Sequence, residues 1–301
     1  PAERILVSLG EHHLEVARRQ LPGLPERNFI VEPVGRDTAA CIGYCALHIE
    51  RRDPEGAMLA VPADHHISDP EAFRETLAQG MRNLPGATGV VFGIAPERPE
   101  TGYGYIQAEK PATPGQAWPV LRFVEKPDAE TATRYVAAGN YFWNSGMFLW
   151  SNRTLLELFR EHMPGTYHGL DRLRGILDRP EECDRRLAVF SAFERISIDY
   201  GIAEKASGLR LVPVGFVWDD VGNWSALERA LRTGDTDNTS LGPSCFHEAS
   251  GCISYSDAGT VACFGVTDLI VVQARGRVLV CPKGRAADLK RLLAAMDPGR
   301  R

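Results

Sequence analysis

The stretch Met58-Leu59-Ala60-Val61-Pro62-Ala63-Asp64-His65-His66 constrains the fold of this chain more than any other. Its apolar run is too short for a helix and is bounded by Gly56 and Pro62, so it reads as a buried strand of the parallel type that leads to a carboxylate. Ligands of open α/β sheets sit at the carboxyl ends of strands, which makes Asp64 better placed for chemistry than for packing. Phe216-Val217-Trp218-Asp219-Asp220-Val221-Gly222 repeats the pattern of apolar run, acid and glycine. Two strand-end carboxylates can share one divalent cation, and hard oxygen donors suit Mg²⁺ when substrate phosphates complete its shell. The plainer alternative makes Asp64 a helix cap and sets Asp219 and Asp220 in a turn.

The 301 residues suffice for one large α/β domain with a small appendage, and 44% hydrophobic with 24% charged residues is ordinary for a globular protein. A net charge of −5 and the lack of any basic stripe argue against nucleic acid as a partner, while leaving small phosphates open. Only five of the 34 basic residues are lysines, so a lysine at position 126 stands out: it supplies a compact point charge where arginine would supply a fork. Seven scattered cysteines without zinc-type spacing read as reduced core thiols of a cytoplasmic protein. No run is long enough to span a membrane, and no signal peptide pattern opens the chain.

Along the chain, short apolar strands alternate with helical patterns. Arg4–Leu9 and Phe29–Pro33 read as strands, and Gly35-Arg36-Asp37-Thr38 leads into a helix from about Ala39 to Arg51 that Asp37 or Thr38 can cap. Such a helix start is a plausible contact for an anion or a nucleobase, unless Arg36 is simply solvated. Asp69-Pro70 opens the next helix, to about Asn83. In Glu100-Thr101-Gly102-Tyr103-Gly104-Tyr105-Ile106 the glycines allow close backbone approach to a ligand, and Tyr103 and Tyr105 offer flat walls that suit a sugar; an ordinary turn would look the same. Val120–Pro127 is a strand ending in Glu125 and Lys126, which point to opposite faces. Asn144, in the apolar run Tyr141–Trp150, offers a donor and an acceptor either to sugar hydroxyls or to buried backbone. Helical patterns from Arg153 to about Phe193 are broken by Pro164 and Pro180, and Ser197-Ile198-Asp199-Tyr200 begins another turn with cap or ligand candidates. From Asn238 short β-rich segments suggest an appendage closed by a helix over Ala287–Met296, with no repeat of solenoid period evident.

Seven motifs, in order, closely resemble those of bacterial mannose-1-phosphate guanylyltransferases. They are Glu32–Ala39, Pro62–His65, Glu100–Ile106, Phe123–Pro127, Trp143–Phe148, Ser197–Tyr200 and Trp218–Trp224. The resemblance implies a Rossmann-like nucleotidyltransferase domain, a mixed and mostly parallel sheet flanked by helices, over residues 1–237. A small β-rich region follows over 238–301. It implies GTP and mannose 1-phosphate as substrates, Mg²⁺ as cofactor, cytoplasmic location and in-line transfer without a covalent intermediate; a homodimer is compatible with it. By resemblance Asp64 and Asp220 hold the metal, Lys126 meets the sugar's phosphate, Arg36 and Thr38 lie near the nucleotide, and Tyr103, Gly104, Glu125, Asn144 and Asp199 lie near the mannose.

The sequence departs from the family pattern at its start. Members open with a strand and a loop of the type Gly-Gly-x-Gly-Thr-Arg-Leu-Trp-Pro followed by a lysine, a unit of about 30 residues, and no such segment occurs here. The expectation is therefore an N-terminally incomplete copy, poorly folded and inactive without that loop, because the missing strand would lie between Arg4–Leu9 and Met58–Val61. No cupin-type extension follows, so no isomerase activity is expected. Two rivals remain: a thymidylyl- or uridylyltransferase acting on glucose 1-phosphate, and a non-catalytic sugar-nucleotide sensor. Persistence of Asp64, Lys126 and Asp220 weighs against the second.

Overall fold

Tyr141-Phe142-Trp143-Asn144-Ser145-Gly146-Met147-Phe148-Leu149-Trp150-Ser151, rather than the Met58 stretch, is the strand on which the main sheet is hung. The computed structural model describes residues 1–177, 179–222, 224–231 and 237–296. Asn223 of the seventh motif and the segment 232–236 before the expected domain boundary lie outside them. In chain order the strands are β1 (Val7–Gly10), β2 (Phe29–Glu32), β3 (Ala57–Ala60), β4 (His66–Ile67), β5 (Gly89–Ile94), β6 (Tyr105–Ala108), β7 (Trp118–Val124), β8 (Tyr141–Ser151), β9 (Leu209–Pro213), β10 (Trp218–Asp219), β11 (Thr239–Leu241), β12 (Ser244–His247), β13 (Ile253–Ser256), β14 (Val261–Phe264), β15 (Leu269–Ala274) and β16 (Arg277–Pro282). The helices are α1 (Leu14–Gln20), α2 (Asp37–Arg52), α3 (Pro70–Asn83), α4 (Ala129–Ala138), α5 (Asn152–His162), α6 (Pro164–Arg174), α7 (Cys183–Ser191), α8 (Trp224–Leu231) and α9 (Leu289–Ala295).

The chain divides into two units, one of Pro1–Pro62 with Asp69–Phe216, the other of Ala63–Ser68 with Val217–Arg301. In the first, six strands form a sheet in the order β3-β8-β5-β9-β7-β6, with β8 also paired to β6. Only β5 and β9 run parallel; the other pairs are antiparallel. The sheet is mixed, as expected, but not mostly parallel. The reason is the length of β8, whose last residues pair with β3 and β5 while its first pair with β6. Likewise β3 is an antiparallel edge strand with only Met58 buried, not a buried parallel one. β1 and β2 form a separate parallel pair.

Local signals explain the helices. Asp69 caps α3 by accepting from the Glu71 and Ala72 N–H groups, and Asp128 caps α4, which stops at Gly139 in the left-handed region (φ +70°). α5, α6 and α7 are interrupted where Pro164 and Pro180 fall. α2 starts at Asp37, whose Oδ1 accepts from the Thr38 N–H at 2.7 Å, while Arg36 before it makes no side-chain cap bond. The buried face of α2 packs with α5 and α6 on one side of the core, where Trp150, Phe148 and Phe159 are each at most 1% exposed. Phe148 and Trp150 stack at 5.0 Å with planes 4° apart. Full burial of one such side chain contributes about 1.5–3 kcal/mol.

In the second unit β11, β13 and β15 stack in parallel, with Thr239, Ile253 and Ile270 in register, and β12 lies parallel to β14. This is a short parallel coil, a repeat the sequence conceals because its rungs are unequal in length. All seven cysteines are unbridged, but only Cys45, Cys252 and Cys263 are buried; Cys183 and Cys245 are exposed, so the expectation of core thiols holds for part of the set. No helix among the described residues is long and apolar enough to cross a membrane.

Candidate active site

In the first unit the strand ends converge on a carboxylate. β8 carries an irregularity opposite Val91–Gly93: Asn144 pairs with Gly93 and Phe148 with Val91, so Ser145, Gly146 and Met147 bulge out of the ladder opposite Phe92. Ser145 Oγ donates to the Phe92 carbonyl at 2.6 Å, and Gly146, at φ +69°, donates its N–H to Asn144 Oδ1 at 3.1 Å. A bulge of this kind re-aims a side chain: Asn144 Nδ2 donates to Asp199 Oδ1 at 2.7 Å, and its N–H donates to the Gly104 carbonyl at 2.8 Å. Gly104 has no room for a side chain, because a Cβ there would stand 2.2 Å from Glu125 Oε2. That oxygen is buried and, among the described residues, accepts no hydrogen bond. Burial and the charge of Asp199 push the Glu125 carboxyl above the usual range, with Lys126 opposing them.

Lys126 completes the cluster. Its Nζ stands 3.3 Å from Glu125 Oε1, with the Lys126 side chain 57% exposed and the Glu125 side chain 10%. Its φ of +47° is uncommon for a residue bearing a Cβ and costs about 1–3 kcal/mol, so its surroundings must hold it there. The Glu125 N–H donates to Glu204 Oε1 at 3.0 Å. Contacts therefore join Gly104, Glu125, Lys126, Asn144 and Asp199, all expected, with Glu204, which the sequence reading missed. The sequence carries no clear signal for it, because five residues separate it from Asp199 and only a π turn brings the two together. Arg98 was also missed: its guanidinium lies 5.0 Å from the Trp143 ring, against which Tyr103 sets its own ring edge-on at 5.3 Å. Tyr105, expected as a second wall, is instead fully buried, with its hydroxyl accepting from the Glu100 N–H.

The glycine-arginine helix start is built differently. Arg36 donates from Nε to the Phe190 carbonyl at 3.2 Å and from Nη2 to that of Ser191, so its guanidinium serves the end of α7. Thr38 Oγ1 accepts from the Ile198 N–H at 2.9 Å, which ties α2 to the residue preceding Asp199.

In the second unit β4 and β10 form an antiparallel ribbon pairing Ile67 with Trp218 and His66 with Asp219, extended by the Ser68 N–H to the Val217 carbonyl. The same register sets Asp220 across from His65. The Trp218 indole donates to His65 Nδ1 at 3.1 Å, with the rings edge-to-face at 5.1 Å. Burial lowers the His65 pKa, and the charges of Asp64, Asp220 and Asp219 oppose that shift. Asp64 and Asp220 thus flank one imidazole. Asp219 is buried, and its Oδ1 accepts from the N–H of Val221, a β-branched residue at φ +47°; Asp220 is partly exposed and Asp64 exposed. Asp219 ends β10 and Asp220 Oδ1 accepts from the Gly222 N–H at 3.2 Å, so each acid closes a small side-chain turn, and the cap of α3 is Asp69 rather than Asp64. Among the described residues no group of three or more His, Cys, Asp or Glu could hold a metal alone. Two carboxylates, one exposed and one partly so, fit Mg²⁺, which takes one or two of them and leaves other positions to substrate phosphates and water.

Comparison with known proteins accords with this geometry. Residues 2–236 match the nucleotidyl transferase family, and residues 247–296 match a mannose-phosphate isomerase/GMP-like β-helix domain. The chain belongs to the nucleotidyl transferase family. Within it, the mannose-1-phosphate guanylyltransferase of Escherichia coli is 36% identical over 96% of this chain, and the alginate biosynthesis protein AlgA of Pseudomonas aeruginosa 33% over 97%. The chain spans 62% of the length of each of these curated relatives. A Thermus thermophilus structure described as a mannose-1-phosphate geranyltransferase superimposes with a TM-score of 0.87 at 36% identity, covering 98% of this chain and 84% of the other.

Proposed function

We propose that this chain carries mannose-1-phosphate guanylyltransferase activity, converting GTP and α-D-mannose 1-phosphate into GDP-mannose and diphosphate. The observation that carries the reading is the buried Glu125 oxygen that has no donor among the described residues and lies against Gly104, where any side chain would displace it. An acceptor of this kind is costly unless a ligand hydroxyl meets it, and a sugar supplies hydroxyls. The names of the relatives support mannose and guanine.

The nucleophile is an oxygen of the sugar phosphate, already ionised at neutral pH, so no general base is needed. It bonds to the α-phosphorus of GTP as the bond from that phosphorus to the bridging oxygen breaks, and diphosphate leaves with the electron pair. Catalysis is then positioning and charge neutralisation. Asn144, Glu125, Asp199 and the Gly104 backbone orient the sugar, Tyr103 flanks it, and the Lys126 ammonium balances its phosphate. Asp64 and Asp220 would hold Mg²⁺, which when bound neutralises charge on the nucleotide phosphates. Thr38 steadies the Asp199 turn, and Arg36 acts at the nucleotide through the helix start it anchors. We assign the transferase to residues 1–237 and the β-rich region to 238–301. GTP as donor and unbridged cysteines fit a cytoplasmic setting.

The test is a nucleotide panel on the complete protein with Mg²⁺, pairing GTP, UTP, dTTP and ATP with mannose 1-phosphate and glucose 1-phosphate. GDP-mannose is expected as the main product. A uridine or thymidine product, or nucleotide binding without release of diphosphate, would overturn the reading.

A further inference from the structure

We propose that Glu204 is a positioning residue whose carboxylate holds the Glu125–Lys126 turn by its backbone and so fixes where the Lys126 ammonium stands. The kinetic consequence rests on the sugar-phosphate reading above; the geometry does not.

The last β6–β7 pair is Tyr105 with Val124, so the N–H of Glu125 has left the ladder. Pro127 has no N–H to offer, and Lys126 between them is at φ +47°. The side chain that takes the Glu125 N–H is Glu204, at 3.0 Å. A charged acceptor on a backbone N–H is stronger than a neutral one, which suits a turn that must be kept in an unfavourable conformation.

Glu204 reaches this place because of the helical turn before it. Asp199–Ala203 is a π turn, closed by the Glu204 N–H to the Asp199 carbonyl at 2.9 Å, five residues back. A turn of that width stacks residues 199 and 204 one above the other, which an α-helix would not do. Asp199 then accepts from Asn144 beyond the β8 bulge, and Glu204 accepts from Glu125 beyond the end of β7. One short turn braces both Asn144 beside the β8 bulge and the end of β7, which together present the cluster. The charged groups that act on the Glu125 carboxyl are Lys126, whose Nζ stands 3.3 Å from Glu125 Oε1, and the carboxylates of Asp199 and Glu204, which add to the upward pressure on its pKa.

The test compares Glu204→Ala, Glu204→Asp and Glu204→Gln in the complete protein. Glutamine keeps an oxygen that can accept the same N–H; alanine and the shorter aspartate cannot reach it. Hydrogen exchange at the Glu125 amide is expected to quicken about tenfold or more in the alanine and aspartate variants and to stay near wild type in the glutamine one. The KM for mannose 1-phosphate is expected to rise roughly tenfold with alanine, to recover with glutamine, and to leave the KM for GTP unchanged. Equal exchange in all four proteins would overturn the proposal, as would equal losses toward both substrates. If the wild type makes no GDP-mannose, the functional reading fails while the exchange measurement still decides the role of Glu204.

Discussion

The two candidate regions are made in opposite ways. The cluster around Glu125 is interlocked within its unit: a bulge, a π turn, a glycine without space for a methyl group and a lysine in the left-handed region hold each other. The aspartates flanking His65 sit on a ribbon whose strands are two residues long, with one carboxylate exposed and one partly so. A sugar is told from another sugar by where its hydroxyls point, which demands a shape fixed beforehand. A hydrated cation and its phosphates bring their own geometry, so two carboxylates suffice.

The contrast can be broken by substitution. Asp220→Asn should have the largest effect, lowering kcat by about 10²–10³ while the unfolding midpoint stays unchanged, because charge on a partly exposed side chain is lost but packing is not. If steady-state assays show a KM effect alone, the acid is not serving the transferred phosphate. Gly104→Ala comes next: the added methyl must displace Glu125, and the KM for the sugar phosphate should rise on the order of tenfold or more with GTP binding intact. Lys126→Gly sharpens the comparison, since it should lower activity yet raise stability in urea titration by about 1 kcal/mol through relief of the positive φ.

The smallest effect concerns pH. The folded pKa of Glu125 is raised, so its contribution to stability is fully present below the ordinary glutamate pKa and is lost as pH rises through the folded value. Relative to Glu125→Gln, wild-type stability should therefore fall across that window. A flat difference between the two proteins from acid to neutral pH would show that Glu125 is not the strained group.

Short-range features were legible in the sequence. Asp69, Pro164 and Pro180 mark helix ends through contacts within a few residues, and their elements lie where expected. Legible too were residues that meet around Glu125: Gly104, Glu125, Lys126 and Asp199 lie at strand or turn ends, and Asn144 is the polar residue inside the apolar run of β8. Illegible were the features set by distant partners. An apolar run such as Ala57–Ala60 has the same composition whether its neighbour runs parallel or antiparallel, and only the reach of β8 decides. Arg36 reads as a solvent-facing cation until the carbonyls of α7, far along the chain, are seen to receive it. Tyr105 and Tyr103 are indistinguishable in a Gly/Tyr loop, although one is core and the other faces a tryptophan.

The six residues Ala63–Ser68 belong with the C-terminal part of the chain, although nearly 150 residues separate them from it. The two magnesium candidates are therefore neighbours in one body yet are encoded far apart. A crossover between related genes anywhere from residue 69 to 216 would give the hybrid one aspartate from each parent. Such chimeras should work only when the parental ribbons match, so β4 and β10 are bound to be inherited as a pair.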